Sequence, residues 1–97
     1  MKTVFYIVLR LRTSSGFEEY GKFNVGDNKN LAAELFGRMI GREEVSEDDI
    51  LHVDFVEVRN RLPLNLRVIS CTLDELAQNV KTITKEMFKM MNISSAD

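Results

Sequence analysis

His52 and Asp54 stand two residues apart in the run ILHVDFVEV, and in an extended chain that spacing puts both side chains on one face. An imidazole beside a carboxylate is either a positioned base or a pair of metal ligands, and each role needs further groups. The sequence holds one histidine and one cysteine, too few good ligands to build a transition-metal site around His52, so no metal or other cofactor is expected. Nucleophilic catalysis needs a nucleophile, a base and an orienting group within reach of one another. Ser70 and Cys71, with His52, are the only candidates on neighbouring elements, and neither sits in a nucleophile elbow. Gly21 and Gly26 in GKFNVGDNKN lack the lysine and hydroxyl that a phosphate loop places after its second glycine. A non-enzymatic domain is the expectation.

The elements that would carry these residues follow from periodicity. Val4 to Leu11 is rich in β-branched and aromatic residues, and TSSG separates it from FEEYGKFNV, so the two form a hairpin. Placing Leu11 opposite Phe17 and Phe5 opposite Phe23 puts Phe5, Ile7, Leu9, Leu11, Phe17, Phe23 and Val25 on one face. Val4, Tyr6, Val8 and Arg10 then share the other with Glu18, Tyr20, Lys22 and Asn24. GDNKN caps a helix whose stripe runs through Leu31, Ala32, Leu35, Phe36, Met39 and Ile40, and Gly41 is its expected terminator. REEVSEDD has no apolar period and reads as a solvated acidic connector.

ILHVDFVEV alternates as a third strand, with Leu51, Val53 and Phe55 facing inward. After RNRLP comes LNLRVISC, a fourth strand with Leu64, Leu66 and Val68 inward; Pro63 marks it as an edge. Thr72 and Glu75 have capping-box spacing, and Leu73, Leu76, Ala77, Val80, Ile83, Met87, Phe88 and Met91 form one helical stripe to about Asn92. ISSAD is expected to be a frayed polar tail.

The order ββαββα predicts one α+β domain over residues 1–97: a two-layer sandwich with a four-stranded, mainly antiparallel sheet and both helices on one face. Apolarity makes strands one and three central, giving the order 2-1-3-4, with 1-2-4-3 as the alternative. Residues 3–41 and 50–92 share this pattern as a pseudo-repeat. Two helices, each about 10 Å wide, cover one face of a sheet whose strands lie ~4.8 Å apart, and leave the other bare.

That bare face is the expected functional surface. Tyr6, Val8, Arg10, Tyr20, His52, Asp54 and Arg67 are its candidate ligand or interface residues, with Val4, Val56, Val58, Ile69 and Lys22 around them. Tyrosine and arginine are residue types that interface cores favour, so a symmetric homodimer packed sheet to sheet is the leading expectation. A small-molecule or peptide site on the same face is the alternative. Nucleic acid comes third: Tyr6 and Tyr20 could stack on bases, but thirteen basic against fifteen acidic side chains give a net charge of −2 and no general attraction to phosphate. No run approaches the ~20 apolar residues of a membrane helix. The apolar start of the chain breaks at Arg10 without a cleavage site and is expected to be a strand, not a leader. One unpaired cysteine suits a cytoplasmic protein.

Overall fold

The β-branched and aromatic run Thr3–Thr13 forms β1, and Gly16–Asn24 forms β2. Their two-residue turn is closed by Thr13 Oγ1, which donates to the Gly16 carbonyl at 2.9 Å and accepts from the Ser15 N–H at 3.1 Å. Leu51–Arg59 and Leu62–Cys71 form β3 and β4. The residues between them, Asn60 and Arg61, have φ of 52° and 68°, the signature of a type I′ turn, whose twist matches that of its strands. The computed structural model describes residues 2–46 and 48–92; the tail at 93–97 and the side chain of Met91 lie outside the described residues.

All neighbouring strands are antiparallel and the order is β2-β1-β3-β4, the expected 2-1-3-4 arrangement. The helices α1 (Lys29–Gly37) and α2 (Leu73–Asn92) complete the α+β fold. The core joins Phe5, Ile7, Leu9, Val53 and Phe55 of the central strands to Ala32, Leu35 and Phe36 of α1 and Leu76 and Ile83 of α2. The Phe55 ring stacks between Phe5, at 5.8 Å, and Phe36, at 5.3 Å. The shortest dimension is 20 Å, which is two layers and leaves no room for a third.

Asn28 caps α1, its side chain accepting from the Leu31 N–H at 3.0 Å. The helix stops at Gly37, so Gly41 is not its terminator. A Cβ on Gly41 would stand 2.7 Å from the Ser70 carbonyl, and only glycine lets the chain pass there to pair with β4. Arg42 and Ser70 exchange both backbone hydrogen bonds at 2.8 Å. The connector is exposed over residues 42–46, as expected, but pinned at both ends. Arg42 Nη2 reaches Asp49 Oδ1 at 2.6 Å, Arg12 Nε donates to the Asp49 carbonyl at 2.8 Å, and Asp49 is buried. The Ser46 N–H, ahead of Ser70 and Arg42, holds the Asp49 carboxyl below the usual range.

In α2 the capping box forms as read: the Thr72 N–H donates to Glu75 Oε1 at 2.9 Å and the Glu75 N–H to Thr72 Oγ1 at 3.2 Å. The buried stripe is narrower than the pattern suggests. Leu76, Val80, Ile83 and Met87 meet the core, whereas Leu73 and Phe88 are 72% and 67% exposed.

Both edge strands carry a β-bulge, and each reverses the alternation of side chains beyond it. In β2, Leu9 pairs with Gly21 but Arg10 pairs with Glu19, leaving Tyr20 as the inserted residue. Phe17 consequently faces Arg12, not Leu11, and joins the face opposite the helices. In β4, Phe55 pairs with Arg67 but Val56 with Asn65, and Leu66 is inserted. Ile69 and Arg67 turn to the helix side, while Val68 turns away from it, opposite to the sequence reading of all three. Leu64 keeps its side but is 57% exposed.

Asn79 is 1% exposed on the inner side of α2. Its Oδ1 accepts the Ile40 N–H at 2.7 Å and its Nδ2 donates to the Ile40 carbonyl at 2.9 Å. Asn79→Leu, close in size but unable to pair, should lower stability by about 2–5 kcal/mol, because two backbone groups lose their partner. Urea unfolding should show a reduced midpoint with an unchanged slope; an unchanged midpoint would contradict this role.

Candidate functional site

The pleat of the two central strands builds the face opposite the helices. Across β1 and β3, Val4 pairs with Val58, Tyr6 with Val56, Val8 with Asp54 and Arg10 with His52. Five of the seven candidate residues, Tyr6, Val8, Arg10, His52 and Asp54, are thus neighbours. Arg67 is not among them: it sits on the helix side with its guanidinium 5.1 Å from the Phe36 ring and paired to Glu43. Tyr20, the inserted residue, is 49% exposed, and its hydroxyl is raised above the usual range first by burial and then by the charge of Cys71, a helix-side group. The bulges that displaced these two brought in Phe17 and Asn65 instead.

No second layer covers this face, yet Val8, Val56 and Asp54 are only 2%, 6% and 3% exposed. Long side chains lie across it. Lys22 Nζ stands 4.3 Å from the centre of the Tyr6 ring, and the Arg12 guanidinium 4.6 Å from that of Phe17. Phe17 in turn stacks on His52, with ring centres 4.0 Å apart. At the middle, Arg10 Nε donates to Asp54 Oδ2 at 2.7 Å, and Asn65 Nδ2 donates to the same oxygen at 3.3 Å. A buried carboxylate needs such a counter-charge. Asp54 Oδ1 and His52 Nε2 are buried without a partner among the described residues.

The catalytic candidates are not assembled. The Ser70 hydroxyl is turned to the Asp49 carboxyl and accepts a long 3.4 Å contact from Arg42, and His52 Nε2 bonds to neither Ser70 nor Asp54. Cys71 points to the opposite side of the sheet, where Sγ lies 3.2 Å from the Ile40 carbonyl and 3.4 Å from Asn79 Nδ2. Burial, then Glu75, pushes its thiol up to about 11. No group of three His, Cys, Asp or Glu side chains that could hold a metal ion is found among the described residues. No described helix is long and apolar enough to cross a membrane.

No family model, curated protein or solved structure matches this chain. The reading of the face therefore rests on its own geometry and chemistry.

Two outcomes follow. Burial, ahead of all charge effects, holds the His52 imidazole below its ordinary value, so the unfolded chain takes up the proton first as pH falls. Stability should then decline as pH drops below about 6.5, and the neutral-His52 advantage is complete only above that value. With one histidine in the chain, His52→Phe, which keeps the ring stack, should flatten the dependence of the urea midpoint between about pH 6.5 and 5. An unchanged slope would refute the burial of a neutral imidazole. For Cys71, a thiol raised from 9.0 to about 11 should react with a disulfide reagent at pH 8 about 100-fold more slowly in the folded chain than in urea; equal rates would place the thiol in water.

Proposed function

We propose that this chain is a non-enzymatic interaction module that pairs with a second copy of itself through the open sheet face. The observation that supports it most is that the side chains of this face hold one another in place before any partner arrives. Val8 and Val56 are buried, Arg10 is fixed by Asp54, and Lys22 and Arg12 are held over aromatic rings. Side chains already in place lose little freedom on association, which is where much of the cost of binding lies.

The face is also segregated along its strands. Val4, Tyr6, Val56, Val58 and Pro63 gather at one end, and Arg10, Arg12, Phe17 and His52 at the other. A two-fold axis through the apolar end lets like meet like there and keeps Arg10 and Arg12 of the two copies apart. Edge-to-edge pairing is a poorer route, since each edge strand is interrupted by a bulge and β4 carries Pro63. Nucleic-acid stacking is disfavoured because the rings of Tyr6 and Phe17 are occupied by Lys22, Arg12 and His52.

Sedimentation equilibrium tests the proposal. The wild type should be a dimer, and Tyr6→Glu, which sets a charge close to the axis in each copy, should be a monomer with an unchanged circular dichroism spectrum. A dimeric variant, or a wild type monomeric at high concentration, would remove the sheet-face dimer. One observation favours a second reading: the unpartnered Asp54 Oδ1 and His52 Nε2 suit a small polar ligand. A monomeric wild type whose His52 resonances shift with a polar small molecule would support it.

A further inference from the structure

A second surface lies at the end of the molecule where α2 begins. Leu11, Ile50 and Leu73 are 36%, 60% and 72% exposed and, over a floor of Leu51 and Cys71, line a groove of about 430 Å³, within the ~300–1,000 Å³ of ordinary binding sites. Three large aliphatic side chains converging on one groove are more than scattered surface residues. Packing asks for none of them: Leu73 opens a helix already capped by Thr72, and Ile50 lies in the connector outside β3.

The charge around the groove is one-sided. Glu18 stands opposite Leu11, Asp48 is on the rim and Asp74 follows Leu73; no ion pair engages any of the three among the described residues. Two cations stand at this end: Arg42, which lines the groove, pairs with Asp49, and Arg12 lies over Phe17 and bonds the Asp49 carbonyl, so the carboxylates outnumber them. A largely apolar groove with the unpaired Asp48 on its rim, and Glu18 and Asp74 next to Leu11 and Leu73, fits a segment that carries aliphatic side chains flanked by lysine or arginine.

We propose that this groove docks a basic amphipathic peptide segment of another protein. The seat is rigid, since Asn79 and the Thr72–Glu75 box hold its floor and Leu73 in place. This surface is separate from the open sheet face, so the two proposals fail independently.

Fluorescence anisotropy with the full chain tests it, using a labelled helical 14-residue peptide of leucines on one face and lysines on the other, and the same peptide with glutamates for the lysines. The lysine peptide should bind at least about tenfold more tightly than the glutamate peptide. Leu73→Ser and Asp48→Lys should each weaken it about tenfold with an unchanged melting temperature, since both side chains are exposed, and Tyr6→Glu should bind as the wild type. Equal binding of the two peptides, or wild-type binding by Leu73→Ser, would overturn the proposal. So would a change of oligomeric state in Leu73→Ser, which would make a second copy the occupant.

Discussion

The pairing of Asn79 with the backbone of Ile40 is the contact on which the far side of the fold depends. A primary amide presents a donor and an acceptor with the spacing of a peptide unit, so Asn79 stands in for a strand neighbour from within a helix. By fixing Ile40 it fixes the next residue, Gly41, against the Ser70 carbonyl, and the residue after that, Arg42, in a bridge with β4. Arg42 then holds Asp49, whose carbonyl receives Arg12 of β1, so the entry of β3 is tied to both of its sheet neighbours' ends. Cys71 completes the same node as a small side chain closing the gap beneath Ile40.

How far the sequence was legible follows from the two bulges. Alternation identified the apolar inward residues of β1 and β3, though not the buried Glu57 beside them, because both are central, uninterrupted strands whose faces are forced by burial. It failed on β2 and β4 at the inserted residue, where a single extra position exchanges the faces. Phe17, Val68, Ile69 and Arg67 are all on the side opposite to their simple count. The Asn79 node was less visible, since a lone polar residue inside an apolar helical stripe has no spacing to announce what it bonds.

The bare second face is covered after all, by its own side chains. Lys22 and Arg12 set their charged ends over ring faces and Arg10 sets its own on Asp54, on a face where Val8 and Val56 are buried. This arrangement confines the accessible apolar surface of the open sheet to the end at Val4, Tyr6 and Val58. It also explains why a buried Asp54 is tolerated: without Arg10 above it, a desolvated carboxylate would stand at the centre of the sheet.

A net charge of −2 conceals an uneven distribution of unpaired charge. On the sheet face the cations are engaged by a carboxylate or a ring, whereas around Leu11, Ile50 and Leu73 Arg42 is paired and Glu18, Asp48 and Asp74 are left over. Pairing, not the count of charged residues, therefore sets the local field that a partner meets. A chain this small can bury one core, and the connector that Asn79 anchors lets it hold two chemically different surfaces at once: an apolar and aromatic sheet face, and an acidic-rimmed groove at the end where α2 starts.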